Sequence, residues 1–88
     1  MIAIKKINTS DSVNYKFIED LLVSAFPLQE RRELELQKEF TDNNPKFSNN
    51  VILWNDQPVG FITYWEFDKF FYIEHFAISP DARNGGYG

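Results

Sequence analysis

Six residues, Arg83-Asn84-Gly85-Gly86-Tyr87-Gly88, spell R-x-x-G-x-G directly after an apolar run. Glycines lack a Cβ and take positive φ freely, so such a loop can turn several backbone N–H groups toward one anion. The chemistry that suits it is the cradling of a phosphate or diphosphate. A helix normally follows, its first amides and dipole completing the site; in this chain that helix is expected at or beyond Gly88. Alone, the pattern also fits a glycine-rich tail or turn. Upstream lie groups able to move a proton, Tyr72, Glu74 and His75. Strand alternation places Tyr72, Glu74, Phe76 and Ile78 on one face and Ile73, His75 and Ala77 on the other. His75, the only histidine, then points away from Glu74 and reads as a hydrogen-bonded packing residue. No Ser/His/Asp set assembles around it.

The whole stretch from Tyr72 through Ser79-Pro80-Asp81-Ala82 to Gly88 resembles the acetyl-CoA-binding motif of the GNAT superfamily of N-acetyltransferases. In that family an apolar strand is followed by x-P-x-x-R-G-x-G-x-G/A; here Asn84 replaces the first glycine. The resemblance implies that backbone groups of Phe76, Ala77 and Ile78 contact the pantetheine and thioester of acetyl-CoA, one amide polarising the acetyl carbonyl. It implies that Arg83, Asn84, Gly85, Gly86, Tyr87 and Gly88 wrap the pyrophosphate, with Tyr87 packing against neighbouring structure. Members with a Glu or His base carry it three or five residues before the strand's alanine, which here selects Glu74 and, second, Tyr72. Phe26-Pro27-x-x-Glu30-Arg31 is similar to a sequence in some bacterial members and makes Glu30, Arg31 and Arg32 acceptor-site candidates. Pro58-Val59-Gly60-Phe61 is similar to the family's third strand.

The implied activity is direct acetyl transfer to an amine, on a small molecule or a protein, with no metal. The family's further helix, fifth strand and final elements have no counterpart in these residues. Residues 1–88 are therefore expected to form a single truncated domain, weakly active or inactive by itself. Two alternatives stay open: a non-catalytic α+β module that binds a partner or forms a homodimer through an exposed strand edge, and an unrelated α+β protein with a glycine tail.

The elements that would position these groups follow from periodicity. Ile2, Ile4 and Ile7 suggest a first strand with Lys5 and Lys6 toward solvent. Asn8-Thr9-Ser10-Asp11 offers helix-capping oxygens. Val13, Phe17, Leu21 and Ala25, flanked by Ile18, Leu22 and Phe26, recur as the stripe of a buried helix. Pro27 should break it. A charged second helix is expected through Phe40, with Arg31 and Glu35 able to pair and Leu36 and Phe40 as a packing edge. Thr41 to Asn50 reads as an exposed loop. Val51 to Trp54, the turn from Asn55 to Pro58, and Val59 to Phe67 form a hairpin, and Asp68-Lys69 leads into the last strand. Val59, Phe61, Thr63, Trp65 and Phe67 alternate with Gly60, Ile62, Tyr64 and Glu66, neither set being polar, so both faces call for cover. The fold class is α+β: a GNAT-like N-terminal half, a mainly antiparallel four-stranded sheet in the order strand, helix, helix, strand, strand, strand, with helices packed on it.

Composition narrows the function classes. Eighty-eight residues allow one domain, and a chain of this size buries only roughly 60–65% of its unfolded surface. The 43% hydrophobic and 17% aromatic content nevertheless supports a core. Without cysteine there is neither disulfide nor thiolate metal site, and a cytoplasmic, reducing setting is the default expectation. Apolar runs fall short of the ~20 residues of a membrane span. A net charge of −4 argues against nucleic acid as partner.

Overall fold

The computed structural model describes residues 1–84, for Arg83 and Asn84 the backbone only. Four strands, β1 (Ile2–Lys6), β2 (Phe47–Trp54), β3 (Gln57–Phe67) and β4 (Phe70–Ile78), form one antiparallel sheet in the order β1-β2-β3-β4. Helices α1 (Ser12–Ala25) and α2 (Leu34–Asn43) lie between β1 and β2, separated by a 3₁₀ turn at Leu28–Glu30, and a short helix α3 (Pro80–Asn84) follows β4.

Local chemistry sets most of these boundaries. Asp11 caps α1, its carboxylate accepting from the Asn14 amide at 3.3 Å. Pro27 forces Phe26 into extended geometry and ends the helix. Asn55 and Asp56 take φ of 49° and 68°. Two consecutive left-handed residues make the tight turn whose twist matches paired strands. Gly60 is required by a close approach: a Cβ there would lie 2.5 Å from the Ala77 carbonyl oxygen of the adjacent strand.

Several expectations need correction. Val13 is 76% exposed, and α1 instead buries Tyr15, Ile18, Leu21 and Leu22. The i, i+3, i+7 row that begins at Tyr15 is rotated from the expected one, and the phenol does the work assigned to Val13. All of β1 is exposed, Ile2 and Ile4 included, while Ile7 just beyond it enters the core. The second helix starts after Arg31, so Glu35 pairs with Lys38 at 3.7 Å rather than with Arg31. Residues 41–50 are not an exposed loop. Thr41 to Asn43 finish α2, and Phe47, Ser48, Asn49 and Asn50 are buried strand. Polar side chains hid that strand: Asn49 donates to Thr41 Oγ1 at 3.1 Å, and Asn50 to the Ile62 carbonyl at 3.1 Å. Helix also starts at Pro80, ahead of the glycines. Proline's fixed φ and missing N–H suit a first helical position as well as a strand stop.

Two apolar clusters sit on opposite faces of the sheet. Ile7, Tyr15, Ile18, Leu21, Leu22, Val51 and Phe61 pack under α1. Ala82 of α3 packs onto Ile52 and Val59. The register shift between Ile52 and Leu53 explains why Val59 joins this second face instead of the row of Phe61.

Candidate active site

The pairing of β3 with β4 is interrupted once. Thr63 opposes His75 and Tyr64 opposes Ile73, which leaves Glu74 as the extra residue of a β-bulge. Alternation fails there, so Glu74 and His75 both face the helical layer. The expectation that His75 points away from Glu74 is thus overturned: His75 Nδ1 lies 3.9 Å from Glu74 Oε1.

Each of the two grips the segment between α1 and α2. Both oxygens of Glu74 accept from Arg32 Nη2, and Oε1 also accepts from Trp65 Nε1 at 3.4 Å. The Arg32 guanidinium donates to Gln37 as well and lies 5.0 Å from the Phe40 ring centre and 5.2 Å from that of Phe47. A guanidinium between ring faces with a carboxylate on its fork is held in one geometry. His75 Nε2 meets the Glu30 carbonyl at 2.8 Å, and its ring stands edge-on to Phe26 at 4.5 Å between centres. Arg31 Nε donates to the Phe26 carbonyl at 3.3 Å.

His75 ends a buried polar row. Asn49, Thr63 and His75 are direct partners across β2, β3 and β4 on one face. Asn49 Oδ1, Thr63 Oγ1 and His75 Nδ1 are buried without a hydrogen-bond partner. Behind them Tyr15 has its phenol pKa pushed up to about 12, chiefly by burial and next by the charge of Glu19.

Beside Phe26, a cavity of about 500 Å³ opens between the end of α1 and the end of β4, lined by Leu21, Ser24, Ala25, Phe26, Phe76, Ala77, Ile78 and Pro80. Three residues expected to meet a thioester, Phe76, Ala77 and Ile78, therefore form one wall of it. Because β4 is last in the sheet order, alternate N–H and C=O groups along it point away from β3 and are open to a ligand. Phe26 on the other wall opens the Phe26-Pro27-x-x-Glu30-Arg31 stretch, whereas Ser24 belongs to no motif.

The remaining candidates are dispersed. Arg32 and Glu74 come together, whereas the Glu30 side chain is exposed and only its carbonyl takes part. Tyr72 is exposed beyond the bulge and does not line the cavity. Gly85, Gly86, Tyr87 and Gly88 lie outside the described residues, as do the side chains of Arg83 and Asn84. Among the described residues no group of three or more His, Cys, Asp or Glu could hold a metal ion. No helix among them is long and apolar enough to cross a membrane.

Comparison with known proteins places this geometry. No curated protein matches the chain. A solved structure from Bacteroides thetaiotaomicron, assigned to the GNAT acetyltransferases, is 56% identical and superimposes with a TM-score of 0.92. The match covers 98% of this chain and 49% of that one, so the chain spans about half the length of that relative. The sequence model described as the Acetyltransferase (GNAT) family matches residues 12–88. With most of its length inside that match, the chain belongs to the GNAT acetyltransferase family.

Proposed function

We propose that this chain takes part in direct acetyl transfer from acetyl-CoA to an amine, on a small molecule or a protein. The observation that carries the reading is the cavity at the end of β4. It is walled by the residues that the family motif assigns to the thioester, it adjoins an open strand edge, and the sequence beyond it runs into Arg83 to Gly88.

Acetyl-CoA supplies an acyl group already activated as a thioester. The chain's own part is to hold and orient. Outward N–H groups of β4 near Phe76 to Ile78 offer hydrogen bonds to pantetheine and to the acetyl oxygen. Phe26, Leu21 and Ala25 exclude water from the facing side. The amine nitrogen bonds to the acetyl carbon as the carbon–sulfur bond breaks, and the sulfur leaves as CoA thiol after taking a proton. In this reading Glu74 accepts the amine's proton. Its carboxylate is held by Arg32 and, at 3.4 Å, by Trp65, and it stands outside the lining of the cavity. Tyr72 has a weaker claim, from the spacing alone. Glu30 and Arg31 would border the acceptor, and residues 83–88 the diphosphate.

Calorimetry with acetyl-CoA and with S-acetylpantetheine, which lacks the diphosphate, tests this. Tighter binding of acetyl-CoA by tenfold or more is expected; equal affinities would remove the diphosphate role of residues 83–88. A second reading, dimerisation without catalysis, has its own observation. Phe70, Phe71, Tyr72, Ile73 and Phe76 are exposed on the outermost strand. Sedimentation across a hundredfold range of concentration decides it, a constant monomer mass ruling it out.

A further inference from the structure

The loop that supplies Phe26 to the cavity is fastened to β4 by two side chains adjacent in sequence, and only the bulge at Glu74 lets them face the same way. We propose that His75, protonated at Nε2, is a positioning residue that holds the Glu30 carbonyl and the Phe26 ring and so sets the wall of the cavity. Its bearing on acetyl transfer rests on the functional reading above, but the clasp itself does not.

A carbonyl oxygen can only accept, so the 2.8 Å contact with Glu30 requires the proton on Nε2. Nδ1 makes no hydrogen bond, its nearest charged neighbour being Glu74 Oε1 at 3.9 Å, beyond bonding distance. Burial makes the arrangement stiff, since the imidazole is only 6% exposed. The Phe26 ring contacts His75 and also lines the cavity. Moving the Glu30 carbonyl would move the 3₁₀ turn that follows Phe26, because the Glu30 amide donates back to the Pro27 carbonyl at 2.8 Å. Nothing in the sequence pattern announces this coupling. Strict alternation puts His75 on the other face.

The test uses the full 88-residue chain. Long-range proton–nitrogen NMR of the wild-type imidazole is expected to show the Nε2-protonated form; the Nδ1-protonated form would overturn the proposal. Glutamine can place an N–H close to the position of Nε2, whereas phenylalanine keeps the bulk and loses the donor. His75→Phe is therefore expected to speed hydrogen exchange of the Glu30 amide by at least tenfold and to weaken acetyl-CoA binding by about fivefold. His75→Gln should stay within about twofold of wild type in both. The Asn55 amide, bonded to the Met1 carbonyl at the β2–β3 turn, is the control and should not change. Equal behaviour of the two variants would refute the positioning role. If His75→Phe unfolds, the wild-type tautomer and His75→Gln settle the question. If the wild type binds no acetyl-CoA, the functional reading fails while loop exchange still judges the clasp.

Discussion

Several separate contacts converge on Arg32: a carboxylate, an amide oxygen and two aromatic faces. With the side chains of Arg32 and Glu74 only 12% and 23% exposed, Arg32→Ala leaves a poorly solvated charge. Urea unfolding should register a loss of about 2 kcal/mol, less than for a fully buried pair because both partners still touch water. Glu74→Gln in the same background should recover part of that loss. Thr63 offers the opposite case. Its hydroxyl is fully buried without a partner. Thr63→Val keeps the shape and removes the unsatisfied group, and should raise stability by about 1 kcal/mol. A destabilised variant would show that an ordered water meets that hydroxyl. Tyr15 makes a pH prediction. Burial raises its pKa from 10.0 to about 12, so the folded state keeps the phenol protonated where the unfolded chain has lost its proton. The associated stability is complete below pH 10 and is lost as pH rises from about 10 to about 12, by roughly 2–3 kcal/mol in all. Tyr15→Phe should abolish that part of the alkaline decline.

Among the elements, the β2–β3 hairpin shows how far the chain's own code reaches. Asn-Asp between apolar runs marks the turn, and both residues adopt the left-handed conformation it needs. Asp56→Gly relieves the strain at φ 68° and should stabilise the hairpin by about 0.5 kcal/mol in thermal unfolding. Gly60→Ala should instead cost about 2 kcal/mol or more, because the obstacle is backbone of β4 that cannot rotate away. Where elements were misread, side-chain chemistry was the reason. Ser48, Asn49 and Asn50 look like loop residues, yet each finds a buried partner: Ser48 and Asn50 bond each other, Asn50 the Ile62 carbonyl and Asn49 the Thr41 hydroxyl of α2. Val13 fits the helical period as well as Tyr15 does, and only the tertiary fit chooses between them. The site was half legible. Phe76, Ala77 and Ile78 could be placed by their motif, whereas the meeting of Glu74, His75, Arg32 and Phe26 depends on a bulge that has no periodic signature.

For the molecule as a whole, the sheet is covered unequally. Among the described residues, one face carries α1 and α2 over a continuous core and the other carries only α3, leaving Ile2, Ile4, Ile73 and Phe76 in contact with solvent. A relative twice as long shares this architecture at 56% identity. The bulge also bears on how such a strand tolerates change. Removing a residue from a strand ordinarily throws every later side chain onto the wrong side. Glu74 is the single place in β4 where an indel would leave the phase intact: without it Ile73 and His75 become the consecutive partners of Tyr64 and Thr63, and the ladder closes without a gap. A chain shortened by that one amino acid should still fold and give a dispersed NMR spectrum, having lost its grip on Arg32 but not its shape.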